Sequence, residues 1–468
     1  KASWVSWIEA SRHDAATAYA TFDRHTFGDH DPWVYVTRDY GKSWQPLVTP
    51  QEARGVRGYA HVIREDAQAP NLLFLGTELG LWISIDGGQS WASFKGDKFP
   101  AVAVRDLVIQ PRDNDLVIAT HGRGIWIIDD ITPLRSLSTE LLAKEAAFVS
   151  ARPVQQRISG PGGWANGAAV FVGENPPGGA VLTYYQRTRH LFGPLKLEIL
   201  DASGRVVDDL PASKRRGLNR VEWSMREKPP HVPPAVQLAF AGTQGPRVLP
   251  GTYTARMTKG GQVYEQKFDV GLDRRATFTV EQRKQQYAAA MRVHQLFGEE
   301  TAVLDRIQQL RAGVAAAGAN TAVDAATKTK LAAFEAKLDD VRKRIVATKE
   351  GGAITGEERL REHTDLLYGA IMGYEGAPSD YQVERIGVLE AELADIEQQF
   401  EALVAADLPA VNKALQDAAQ PPLAVPAKVP AMADAGISSA NAHWLSTRKR
   451  KDRKSMFHSL PQDTVRLR

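Results

Sequence analysis

Side chains that could do chemistry gather in one short stretch, Phe22 to Trp33, which holds Asp23, His25, Asp29, His30, Asp31 and Trp33. Arg105, His121 and Arg123 add the same character further along. Carboxylates, imidazoles and guanidinium groups around an indole make a polar lining with an apolar platform, a composition suited to a carbohydrate or a peptide. The bland alternative is that Arg123 and His121 pair with backbone carbonyls or nearby carboxylates and only lock a turn. Cleaving a glycosidic bond would need two carboxyl groups about 5 Å apart for retention or about 6.5 to 9.5 Å apart for inversion. A route through tyrosine would need an arginine cluster and an activated phenol. The sequence supplies single candidates for these roles and no complete set, so no catalytic residue is assigned. Asp29-His30-Asp31 makes a poor metal site, because consecutive side chains diverge and no closed ligand spacing is visible. No metal and no cofactor are expected. With no cysteine in 468 residues, disulfides, thiolate metal sites and a cysteine nucleophile are excluded.

A polar loop needs a rigid frame, and the frame is written twice. TRDYGKSWQPL begins at Thr37 and SIDGGQSWASF at Ser84, 47 residues later, with Asp39, Gly41, Ser43 and Trp44 matched by Asp86, Gly88, Ser90 and Trp91. A tight hairpin needs residues that tolerate positive φ, here Gly41 and Gly88, and a carboxylate that accepts turn N–H groups, here Asp39 and Asp86. The Trp that follows is expected to bury its ring in the outgoing strand. Each turn follows a β-branched and aromatic run, Val34 to Thr37 or Leu81 to Ser84, and a third run, Ile125 to Asp129, lacks the Gly-Ser-Trp ending. Earlier strands are read at Trp4 to Glu9, Ala18 to Thr21, Tyr59 to Arg64, Leu73 to Thr77, Val102 to Ile109 and Leu116 to Thr120. Counted from Thr21, Thr77 and Thr120, the first unit carries a 9-residue insertion between its second and third strands. Spacings of 47 and 43 residues between the aligned Asp positions match four-stranded propeller blades.

These motifs are Asp-boxes. Together with NLLFLGTELGLWISIDGGQSW and DLVIATHGRGIWIIDD they resemble the last blades of bacterial BNR-repeat propellers similar to sortilin and labelled glycosyl-hydrolase-like. The resemblance covers residues 1 to about 135. It implies that the loops between second and third strands lie on the ligand face, opposite the Asp-box turns. Three blades cannot close a ring, so the remaining blades are expected upstream or from a second chain, and the chain is expected to be a fragment.

Downstream, residues 136–180 read as a linker broken by Pro161-Gly162-Gly163 and Pro176-Pro177-Gly178-Gly179. Short alternating runs from Val181 to Val270 predict a β-sandwich over 181–275. LEILDASGRVVDDL, GLNRVEWSM and GPRVLPGTYTARM resemble Ig-like spacer modules, which implies core roles for Trp223 and Tyr253. From Phe278 the apolar period becomes helical and predicts an antiparallel bundle over 278–418, with breaks at Gly313 to Asn320, Gly351-Gly352, Gly376 to Pro378 and Pro409. His294 falls on the apolar stripe and is read as a core histidine. The whole is a multidomain chain, mainly β and then α, with residues 419–468 as a disordered basic tail.

The net charge of +3 hides an asymmetry, because Ser446 to Arg468 holds eight Lys/Arg and two Asp while the remainder is mildly acidic. That tail has no interleaved aromatics, so nucleic acid is not expected as a partner. No apolar run reaches the ~18 residues of a membrane span. Two functions fit: a secreted or periplasmic binding or scaffolding protein for a carbohydrate, peptide or protein ligand, or a glycoside hydrolase whose catalytic blades lie mostly outside residues 1–135.

Overall fold

The computed structural model describes residues 3–95, 99–158, 176–351 and 356–428. Strands β1 (Trp4–Ala10), β2 (Ala18–Asp23), β3 (Trp33–Thr37) and β4 (Gln45–Val48) form an antiparallel sheet in chain order. The pattern repeats in β5 (Ala60–Glu65), β6 (Leu73–Thr77), β7 (Gly80–Ser84) and β8 (Ala92–Ser93), and again, with three strands, in β9 (Val104–Gln110), β10 (Asp115–Thr120) and β11 (Ile125–Ile128).

Successive side chains on a strand point to opposite faces, and the second sheet uses both. Ile63, Leu75 and Trp82 join a core with Tyr19, Val34 and Val36 of the first sheet. Their neighbours Val62, Phe74 and Leu81 join a second core with Val104, Leu107 and Ile118 of the third. The three sheets are thus stacked face to face, the middle one buried on both sides.

The ladders also fix how the units align. Ile8, Ala20 and Tyr35 lie side by side in the first sheet, as do Ile63, Leu75 and Trp82 in the second and Leu107, Ile118 and Trp126 in the third. This row puts Asp130, four residues past Trp126, at the place of Asp39 and Asp86, where spacing alone had put Asp129. It also makes the insertion in the first unit eight residues. Asp130 takes that place because the turn before β11 is one residue longer than that before β7, and the insertion is shorter by one because Phe22, not Thr21, stands level with Thr77.

In both repeated turns the carboxylate accepts from the turn. Asp39 Oδ1 accepts from Ser43 N at 2.9 Å and from Thr37 Oγ1 at 2.8 Å, and Asp86 Oδ1 accepts from Ser90 N at 2.9 Å and from Ser84 Oγ at 2.7 Å. The tryptophans differ. Trp91 is buried, its indole N–H donating to the Gly88 carbonyl, whereas Trp44 is 42% exposed, which corrects the expectation that both rings enter the core. The second turn itself packs on the first sheet, so that a Cβ on Gly88 would stand 2.7 Å from Leu47 Cδ1.

The stretch 136–180, expected as a linker, is partly regular where described. After α1 (Thr132–Arg135) and α2 (Thr139–Ala143), β12 (Ala146–Phe148) and β13 (Val154–Gln156) add to sheets completed by later strands. One is β12-β14-β17, with β14 (Ala180–Gln186) and β17 (Gly217–Trp223); the other is β13-β19-β18-β15-β16, with β15 (Leu195–Leu200), β16 (Val206–Leu210), β18 (Gly251–Lys259) and β19 (Gln262–Leu272). Leu182 and Trp223 of the first pack with Ile199, Tyr253 and Phe268 of the second, so Trp223 and Tyr253 are core residues. Pro161-Gly162-Gly163 and the basic tail lie outside the described residues.

Four helices follow, α3 (Val280–Ala319), α4 (Ala325–Ile345), α5 (Leu360–Gly373) and α6 (Asp380–Asp417), around one apolar core. Thr279 with Gln282 and Ser379 with Gln382 form capping boxes that start α3 and α6. One expected break is narrower and one is absent. α3 runs through Gly313 and ends only at Ala319, with Asn320 as its cap, and α6 continues through Pro409 because Leu408, Val411 and Leu415 carry its buried stripe onward. His294 is mostly buried, with Nε2 3.0 Å from the Lys228 carbonyl, a satisfied core histidine. Glu300 is fully buried in α3, with Oε1 accepting from Thr364 Oγ1 at 2.6 Å and Oε2 without a partner. Burial pushes its carboxyl up to about 8.

Two outcomes follow from this packing. Gly41 and Gly88 both have positive φ, near +81° and +89°, but only Gly88 faces Leu47. Gly41→Ala should therefore cost about 1 kcal/mol and Gly88→Ala about 2–3 kcal/mol in urea melts; equal losses would refute the close approach. Glu300 is neutral in the native state and ionised when unfolded above pH 4.5. Its contribution to stability is full below pH 4.5 and is lost as pH rises to about 8. Relative to wild type, Glu300→Gln should gain stability across that window with a slope approaching about 1.4 kcal/mol per pH unit. Parallel pH–stability curves would contradict this.

Candidate functional site

The turns between second and third strands lie at the end of the stack opposite the Asp39 and Asp86 turns, as antiparallel order requires. There the inserted loop of the first sheet leans on the second. Asp23 Oδ1 accepts from His25 N at 2.9 Å and lies 2.6 Å from His25 Nδ1. This sets the imidazole flat on Tyr59, ring centroids 4.8 Å apart at an interplanar angle of 19°. His30 approaches the same ring at 5.9 Å, and His61 meets it edge-on at 4.9 Å.

Behind Tyr59 runs a polar chain across two sheets. Arg105 Nη1 stands 3.2 Å from His61 Nδ1, His61 Nε2 stands 3.0 Å from Glu78 Oε2, and Arg105 reaches Glu78 at 3.6 Å. An arginine can only donate, so Nδ1 accepts and Nε2–H donates to the carboxylate, which is the neutral imidazole. Burial, the largest influence, holds His61 below its ordinary range and keeps the ring neutral. Burial works the other way on Glu78, but hydrogen bonds from His61 and Tyr59 and the charge of Arg105 outweigh it, and its carboxyl lies below the usual range. Tyr59 is pushed up, first by burial and then by Glu78.

Backbone irregularity delivers these side chains. The β1–β2, β5–β6 and β9–β10 ladders each slip at one place, leaving Ser6, His61 and Arg105 unpaired at corresponding positions. A bulge of this kind re-aims a side chain. Ser6 ties its strand to the Ala60 carbonyl, while His61 and Arg105 turn toward each other.

Of the residues singled out from sequence, Asp23 and Arg105 belong to this cluster. Trp33 does not offer an open platform, because its indole N–H donates to Asp29 Oδ2 at 3.1 Å and Arg24 lies 5.3 Å over its ring. Asp29 also takes Arg24 Nε at 3.2 Å and the Asp31 N–H, so Asp29, Arg24 and Trp33 brace the loop while Asp31 is exposed at its tip. His121 and Arg123 are exposed in the turn before β11 and stand apart; the His121 N–H is held by the Ala103 carbonyl. Reading by composition missed Tyr59, His61 and Glu78 as a set. The signal was the position of His61 in the repeat, level with Ser6 and Arg105. Among the described residues no group of three or more His, Asp or Glu could hold a metal ion, and no described helix is long and apolar enough to cross a membrane.

No protein-family model matches the chain, and no curated protein sequence does. Among solved structures it is similar to a GH74 xyloglucanase from Xanthomonas campestris at 15% identity and a TM-score of 0.21. The match covers 61% of this chain and spans 40% of the xyloglucanase chain.

The arrangement predicts how His61 titrates. Its midpoint in NMR titrations should lie below 6.5. In Glu78→Gln, which removes the anion favouring imidazolium, it should fall further. A midpoint above 6.5, or a rise in the variant, would overturn the assigned neutral tautomer.

Proposed function

We propose that the chain is a ligand-binding or scaffolding protein of the secreted or periplasmic space. In this reading its three stacked sheets are Asp-box blades of a sortilin-like propeller, 181–275 is an Ig-like spacer and 278–418 an antiparallel bundle. The observation that carries the binding role is the cluster of His25, Tyr59, His61, Glu78 and Arg105 at the turn end of the stack. It joins partly exposed donors and acceptors to the exposed imidazole of His25, which lies over buried Tyr59, a combination that suits the hydroxyl groups of a sugar; a peptide is the other ligand it suits. Arg105 and Glu78 side chains are 42% and 34% exposed, open enough to meet a ligand. Binding is favoured over hydrolysis because Tyr59 is pushed up rather than activated, and Glu78 is held down rather than kept as a proton donor at neutral pH.

The test is a glycan and peptide array probed with the wild-type protein, Arg105→Ala and His25→Ala. Wild type should select a carbohydrate family and both variants should bind it at least about tenfold more weakly; melting temperature should change little in His25→Ala and fall in Arg105→Ala, which leaves buried His61 Nδ1 without its donor. Binding left intact in both variants would remove this cluster as the ligand site. Turnover of a bound glycan would replace binding with hydrolysis.

A further inference from the structure

Away from that site, three arginines converge where the five-stranded sheet region meets the helices. Arg226 and Arg247 sit on segments that pair as an isolated antiparallel bridge, which places like charges directly opposite each other. Arg283 comes from the first turn of α3, where the helix dipole already presents positive charge. It is 2% exposed, and its Nε is buried without an acceptor. With Gln286 these three line a cavity of about 10 Å³, room for one body about the size of a water molecule.

The negative charge around it falls short. Glu375 meets Arg247 at 3.1 Å and also pairs with Arg283. Among the described residues the side chain of Arg226 has only the Gly245 carbonyl, at 3.0 Å. The nearby acids are committed elsewhere: Asp273 to Arg275, and Glu227 to Arg205 and Tyr287. Among the described residues the cavity is therefore left with two positive charges in excess. Burial and mutual repulsion hold Arg226 below its ordinary range, and the same pair of causes acts on Arg247, eased there by Glu375.

We propose that this cavity binds a small inorganic anion of halide size, chloride, which ties the sheet region to the helices. Such an ion accepts hydrogen bonds from several guanidinium groups at once and offsets a repulsion that packing alone leaves in place. The cavity is too small for a carboxylate or phosphate ester.

The experiment is thermal unfolding of the full chain at constant ionic strength while sodium gluconate is replaced by sodium chloride. Wild type should rise by about 3 °C or more and then saturate, and Arg226→Gln should lose most of that rise. Equal responses in both proteins would mean a general salt effect and would overturn the proposal. A bromide-soaked crystal of the wild type decides independently of whether the variant folds. An anomalous peak among Arg226, Arg247 and Arg283 supports the site, and its absence overturns it.

Discussion

The second sheet is covered on both faces, and the β-rich half of the molecule is arranged around that constraint. A strand in such a sheet has no solvent side, so Leu72-Leu73-Phe74-Leu75 is apolar without alternation. Gly76 ends the run because the third sheet comes too close for any side chain: a Cβ there would stand 2.7 Å from the Val104 carbonyl oxygen. Apart from Arg64, which pairs with Glu9 and Asp106 between the sheets, the polar residues of the second sheet collect at the ends of its strands. One end holds the Asp39 and Asp86 turns, whose carboxylates satisfy backbone N–H groups. The other holds Tyr59, His61 and Glu78.

The same constraint explains why His61 is neutral. Its bulge lets the ring leave the ladder but not the interior, and it remains 5% exposed. An imidazolium there would face Arg105 at 3.2 Å as a like charge. The neutral ring instead accepts from the arginine and donates to the carboxylate, so one buried group satisfies two charged neighbours on different sheets. The inserted loop then rests on this unit through His25 and Tyr59, and its own shape is held by Asp29, Arg24 and Trp33.

Features set by a few adjacent residues were legible in the sequence. The Asp39 and Asp86 turns follow from side-chain chemistry within one hairpin, and the strand cores followed from their apolar runs with boundaries shifted by a residue or two. Helix caps at Thr279 and Ser379 are equally local. What was not legible depends on neighbours distant in sequence. Trp44 and Trp91 occupy the same motif position, yet only Trp91 is buried. Pro409 and Gly313 are breakers by type, but α6 runs on through Pro409 on its buried stripe and α3 runs past Gly313 to Ala319. Trp33 looked like a platform because nothing local shows that Arg24 covers it. Asp23 and Arg105 were found by charge and loop position, while His61 sits inside a strand pattern and is revealed only by the slip in the ladder.

The aligned rows also identify what the outer sheets are shaped to meet. Ile8 corresponds to Ile63, whose side chain is buried against the preceding sheet, yet Ile8 is 63% exposed. At the opposite end Ile125 and Ile127 correspond to Leu81 and Ile83, which pack beneath the following sheet, yet they are 73% and 56% exposed. Scattered apolar residues on a surface need no explanation, but these repeat the side-chain positions of an interface the protein has already built twice. The two end faces therefore have the shape of successive sheet-to-sheet contacts, one the counterpart of the other. In the proposed function, this repetition of side-chain positions is the reason for reading the stack as blades of a propeller.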